Sequence, residues 1–194
     1  EPAQNNIADI IGQVDRMSRW VRELLVSLRP ASDEAEPVDL LAAVDDALGA
    51  FAGQIERSGV EVVLDTPPAA SVSSQPMLLT QILNSLFANA LEAMPRGGRL
   101  GIEVTPEQGG RQWQMVLSDT GKGMSRQQER MVFKPFFTTK QGGLGVGLVL
   151  VKRIMERFGG AVSLTSREEE GTRVSLIFNV AGGDHGAQHP AGRG

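Results

Sequence analysis

Four polar and glycine-rich clusters follow one another in a fixed order: NSLFANALEAM at 84–94, SDTGKGM at 118–124, FKPFFTTK at 133–140 and GGLGVGL at 142–148. The first sits in a run with helical apolar spacing, and the second ends a strand-like run in a glycine turn. The third is an aromatic and polar lid, and the fourth supplies glycines just ahead of an apolar helix. Free amides and the helix dipole at such a start face phosphate oxygens well. Together the clusters read as a nucleotide site, because chance agreement of several ordered motifs is far rarer than one stray glycine pattern.

The chain has 194 residues, of which 41% are hydrophobic, enough for one sizeable core and a smaller appended element. No apolar run approaches the roughly 20 residues of a membrane span, and no basic and apolar leader opens the sequence. The expectation is therefore a chain without membrane contact of its own in a cytoplasmic setting, while neighbouring sequence could still carry a membrane anchor. The absence of cysteine excludes disulfides and thiolate metal sites. A formal net charge of -4 gives no basic footprint for nucleic acid.

Apolar residues at Ile7, Ile10, Val14, Met17, Val21, Leu24 and Leu28 recur at gaps of three and four, an a/d seam that buries against a partner helix. Ile11 and Leu25 widen the stripe toward a multi-helix bundle, and Pro30 stops it. Residues 1–30 are thus read as an oligomerisation helix, 31–37 as an acidic linker, 38–180 as the main domain and the glycine-rich 181–194 as a disordered tail. Within the domain the patterns predict helices over 39–57, 77–94 and 148–158. Strands are expected over 60–65, 99–105, 112–118, 161–166 and 172–180, with TPPAAS and PEQGG as loop and turn. Helices mixed with mostly antiparallel strands suggest a two-layer α/β sandwich.

On the helix over 77–94, Ser85, Asn89 and Glu92 are spaced four and three apart and share one face, while Leu83, Leu86, Ala90 and Met94 face the core. Such a face suits a pocket wall. The carbonyl oxygen of an asparagine is a hard ligand of the kind Mg²⁺ takes, with phosphates and water completing its shell.

In order and spacing the four clusters resemble the N, G1, F and G2 boxes of sensor histidine kinases in the GHKL superfamily, and Gly171 and Thr172 extend the match as a G3-like turn. The FFTTK lid is most similar to the nitrogen-regulation and oxygen-sensing type. The resemblance covers about 38–180. It implies an α/β (α+β) sandwich of Bergerat type, preceded by the second helix of a dimerisation and phosphotransfer hairpin. It also implies ATP with Mg²⁺ as ligands, Asn89 on the metal, and Asp119 accepting from the exocyclic amine of adenine. Gly121 and Gly123 would let the backbone approach the base, with Thr172 at the base edge. Thr138, Thr139 and Lys140 would meet the phosphates, together with the loop residues Gly143, Gly145, Val146, Gly147 and Leu148. The implied partners are a response-regulator receiver domain and, in the full-length protein, a second copy joined through the N-terminal helix.

One position departs from the family pattern. The usual first asparagine of the N box lies one turn before Asn89, and that place holds Ser85, while Asn84 is one residue out of register. Related ATPases carry a glutamate general base there. A serine does not take a proton from water near neutral pH, which favours phosphoryl transfer over hydrolysis. The two histidines, His185 and His189, fall in the glycine-rich tail, so the expected acceptor histidine lies outside this chain. The resulting expectation is the ATP-binding catalytic portion of a sensor histidine kinase, with a GHKL ATPase and a non-catalytic ATP-binding regulatory module as the alternatives.

Overall fold

A computed structural model of the chain describes residues 35–140, 143 and 145–182. The expected helix over 1–30, residues 31–34 of the expected linker, and 183–194 lie outside the described residues. The elements are β1 (Glu36–Asp39), α1 (Leu40–Ser58), β2 (Val60–Asp65), β3 (Ser71–Ser74), α2 (Pro76–Ala93), β4 (Gly98–Glu107), β5 (Gln112–Asp119), α3 (Arg126–Glu129), α4 (Gly147–Arg157), β6 (Ala161–Arg167) and β7 (Gly171–Asn179). A 3₁₀ turn, Gln108–Gly110, joins β4 to β5.

Alternation along the strands builds the main sheet. β4 turns Leu100, Ile102 and Val104 to the buried side, β5 adds Met115 and Leu117, and β7 adds Val174, Leu176 and Phe178. Register joins them into rows, Val104–Met115–Leu176 and Ile102–Leu117–Val174. The sheet has five strands in the order β2-β4-β5-β7-β6; β2 pairs with β4 in parallel and every other pair is antiparallel. The opposite face carries Glu103, Gln114, Arg173 and Ser175, and Arg173 bonds Glu103 across the intervening strand.

Three helices share one core with the apolar side of this sheet, giving the two layers expected. α1 contributes Leu40, Val44 and Ala47, and α4 contributes Leu150, Val151, Ile154 and Met155. α2 contributes eight buried residues from Leu78 to Leu91, because its apolar stripe is wide enough to touch both the sheet and its neighbouring helices. Phe87 is fully buried there and stacks on Phe51 of α1, with ring centroids 5.9 Å apart. Local chemistry sets the helix ends. The Asp39 carboxylate accepts from Leu41 N–H at 2.9 Å and Ala42 N–H at 3.2 Å, a cap that contributes about 1 kcal/mol. Gly59 then closes α1 in the left-handed region at φ 66°.

Several boundaries differ from the expectations. Asp39 is the cap of α1 rather than its first residue, and Pro76 opens α2 one residue early, in a position where its missing N–H costs nothing. Glu36 and Pro37, assigned to the linker, pair with Ser74 and Ser73 in a two-stranded sheet of β1 and β3 that periodicity did not signal. Pro106 and Glu107 of PEQGG belong to β4, where they face Trp113 and Gln112. At the far end, Val180 bridges Val72 and Ala181 N–H donates to Ser71 O, so hydrogen bonding reaches one residue past the expected domain boundary.

Candidate nucleotide site

The buried face of β5 ends on a charged side chain. Asp119 follows Met115 and Leu117 at the strand period of two and is only 8% exposed. Register places it between Leu100 on β4 and Thr172 on β7, and Thr172 opposite Ser166 on β6. The apolar rows of the sheet therefore give way to a polar row of Asp119, Thr172 and Ser166. Burial disfavours the Asp119 charge and raises its pKa above 3.8, while the backbone N–H groups of Gly121 and Thr172 act in the opposite sense. Gly121 N–H donates to Asp119 Oδ1 at 2.9 Å. Ser166 Oγ is bonded to Gly171 O and to Thr172 Oγ1, each at 2.9 Å, so it holds the threonine hydroxyl in place.

The turn after Asp119 is clamped between two elements. Lys122 N–H donates to Ala93 O at the end of α2, and Glu169 N–H donates to Lys122 O from the β6–β7 turn. Gly123 has φ 61°, and a methyl group there would collide with the Arg167 carbonyl oxygen. Only glycine satisfies both demands.

α2 forms one wall of a cavity of about 420 Å³ that Asp119 and Thr172 also line. Leu86, Asn89, Ala90, Glu92 and Ala93 face it from the helix. Phe137, Thr138, Thr139 and Lys140 come from the lid, and Gly143, Gly145, Val146, Gly147 and Leu148 from the glycine loop. Gln141, Gly142 and Leu144 lie outside the described residues. Lys140 Nζ reaches across to Asn89 Oδ1 and to Glu92 Oε2, at 2.5 Å from each. Lys140 N–H also donates to Thr138 Oγ1 at 3.1 Å, which shapes the end of the lid.

The glycine loop feeds α4. Val146 is the N-cap residue and no side chain caps the helix, so its first amides have no intrahelical acceptor at the cavity edge. Gly147 lies against α2: a Cβ there would come within 2.7 Å of Ser85 Oγ. The small side chain of Ser85 and the bare backbone of Gly147 thus let the two helices close over the cavity.

Of the residues singled out from sequence, Asn89, Asp119, Gly123, Thr138, Thr139, Lys140, Gly143, Gly145, Val146, Gly147, Leu148 and Thr172 line one cavity. Gly121 stands behind it, bonded to Asp119, where a Cβ would meet Ala93 Cβ at 2.6 Å. The three lid phenylalanines divide their tasks. Phe137 lines the cavity, Phe133 lies under Lys152 Nζ at 6.0 Å, and Phe136 is 65% exposed with φ 65°. Of the face of Ser85, Asn89 and Glu92 expected to form a pocket wall, Asn89 and Glu92 line the cavity and Ser85 does not, while sequence reasoning missed Lys122, Met124, Val132 and Leu164. Leu164 had no signal, because only strand order brings β6 beside β7.

A buried carboxylate, a lysine-capped asparagine and an uncapped helix start around one cavity define a nucleotide-binding α/β sandwich. The sequence profile described as "Histidine kinase-, DNA gyrase B-, and HSP90-like ATPase" matches residues 74–182. The chain belongs to this family. The sensor histidine kinase ZraS of Escherichia coli is 32% identical over 171 residues, covering 87% of this chain and 36% of that protein. The C4-dicarboxylate transport sensor protein DctB of Pseudomonas aeruginosa is 33% identical over 192 residues, covering 94% of this chain and 31% of that one. The chain thus spans about a third of the length of these curated relatives. Among solved structures, the mycobacterial sensor histidine kinase MprB superposes with a TM-score of 0.66 at 26% identity over 75% of this chain and 97% of that one. Full-length ShkA in complex with AMPPNP gives a TM-score of 0.73 at 22% identity over 86% and 37%, a likeness of fold.

Proposed function

We propose that this chain is the ATP-binding catalytic portion of a two-component sensor histidine kinase, passing the γ-phosphoryl group of ATP to a histidine outside this chain and onward to a response-regulator receiver domain. The observation that carries the reading is the buried Asp119 in register with Thr172, lining one cavity together with Asn89 and Lys140. Adenine presents an exocyclic amine donor where guanine has an oxygen acceptor, so a fixed carboxylate acceptor selects ATP over GTP. Thr172, held by Ser166, adds a hydroxyl at the base edge.

The donor set fits Mg²⁺. Asn89 Oδ1 and Glu92 Oε2 are hard oxygens, and in this structure an ammonium group already lies against both. Asn89 would hold the ion, which when bound neutralises phosphate charge. The uncapped amides of α4, the glycine loop and Lys140 would bind the phosphates, with Thr138 and Thr139 beside them. Phosphoryl transfer depends mainly on positioning and charge stabilisation; these residues would hold and neutralise the nucleotide, and the acceptor histidine would be brought into line from outside this chain. Ser85 supplies no general base for water, which supports transfer over the alternative of a hydrolysing ATPase.

The a/d seam from Ile7 to Leu28 supports one further assignment. Residues 1–30 would be the second helix of the dimerisation hairpin, and the chain would work in a cytoplasmic location. Among the described residues no helix is long and apolar enough to cross a membrane. The test is radiolabelled ATP with Mg²⁺, offered to the chain alone and with a separate acceptor-histidine helix from a relative. The expected outcome is acid-labile label on the helix and none on the chain. Stoichiometric label on His185 or His189 would overturn it.

A further inference from the structure

Asn89 and Glu92 lie one turn apart on α2, and both direct an oxygen at Lys140 Nζ. The contact joins the lid to the helix across 51 positions of sequence. One amide oxygen and one carboxylate oxygen around a compact positive charge are also what a hard divalent cation takes from a protein. An ammonium held by these two oxygens is not free to pair with nucleotide phosphates, and its charge would keep a metal ion off the same oxygens. The Lys140 and Glu92 side chains are 38% and 51% exposed, so water screens the pair and exchange is accessible.

We propose that Lys140 is a built-in surrogate cation. Without metal its ammonium occupies the divalent-cation position made by Asn89 and Glu92; metal entry frees it to meet nucleotide phosphates, so lid release is coupled to metal. Glu92 is the positioning residue of this exchange. Its single negative charge balances Lys140 in one state. In the other, Mg²⁺ on Glu92 leaves one positive charge and the freed Lys140 adds a second, both facing the phosphates. The inference rests on the nucleotide-site reading but concerns the metal-free protein.

The experiment is amide hydrogen exchange of 133–140 in the whole chain, in EDTA and in millimolar MgCl₂ without nucleotide, for the unmodified protein, Glu92→Gln, Lys140→Met and Lys140→Arg. In EDTA, Glu92→Gln and Lys140→Met should exchange about two- to fivefold faster than the unmodified protein, the scale of one exposed ion pair. Lys140→Arg should stay close to it. MgCl₂ should accelerate the unmodified lid by a similar factor and leave Glu92→Gln unchanged. Circular dichroism should show unchanged folding, since both side chains are partly exposed. Equal lid exchange in Glu92→Gln and the unmodified protein in EDTA, or no response of the unmodified lid to MgCl₂, would overturn the inference. Calorimetric titration of the unmodified protein with Mg·ATP reports separately on the nucleotide reading. ATP binding with a magnesium-insensitive lid sinks the exchange alone, whereas magnesium-driven release without ATP binding sinks the nucleotide reading alone.

Discussion

Asp119 and Thr172 face each other across β5 and β7, where the inward row of the sheet changes from apolar to polar. The pair gives the cavity a carboxylate acceptor and a hydroxyl in fixed relation, because both are strand residues rather than loop residues. Strands position groups more tightly than loops do.

Asp119→Asn should separate binding from stability. Replacing the acceptor with an amide is expected to cost about tenfold or more in ATP affinity and most of the preference over GTP, measured by calorimetry. Burial raises the Asp119 pKa above its unfolded value of 3.8. The neutral form is therefore favoured in the fold, and stability falls as pH rises through the raised pKa. The asparagine variant should accordingly match or exceed the parent in urea unfolding at pH 7, and the difference should vanish near and below pH 3.8. A variant clearly less stable than the parent at pH 7 would contradict the burial argument.

Gly123→Ala should fail structurally. The left-handed φ of 61° and the blocked approach to the Arg167 carbonyl act together, so the turn must move away from the β6–β7 turn. The expected result is loss of nucleotide binding with a destabilisation of about 1–3 kcal/mol in denaturant titration. Gly49→Ala, in a helix with nothing within 4 Å of the added methyl, should instead be neutral or stabilising.

Asn89→Ala removes one oxygen of the cation position and leaves the Asp119 row untouched. ATP binding measured with and without Mg²⁺ should lose its metal dependence, while binding of adenosine, which carries no phosphate, should change less than threefold. An equal loss for adenosine and ATP would place Asn89 at the base instead.

Phe87→Ala tests the scaffold. Its ring is fully buried and stacked on Phe51, so truncation leaves a cavity and should cost about 3–5 kcal/mol in urea unfolding. That is a large part of the stability of an ordinary domain. A cost under 1 kcal/mol would mean that α1 and α2 repack freely, and the wall carrying Asn89 would then lack rigid support.

Much of this protein was legible in residue order. Period-two alternation in β4, β5 and β7, the wide stripe of α2 and the glycines before α4 are local patterns, and each specifies its element without help from distant residues. The ordered clusters likewise pointed to Asn89, Asp119 and Lys140, because spacing along one helix or turn is a sequence property, while Thr172 came in only through the family resemblance. Tertiary structure decided the rest. β1 and β3 are four residues each, too short for alternation to register, and exist through their mutual pairing and the bridge from Val72 to Val180. Leu164 joined the site through strand order, and Ser166 became the support of Thr172 through register. Lys140 met Glu92 only once the lid folded back on α2, a contact between residues far apart in sequence that no local propensity encodes.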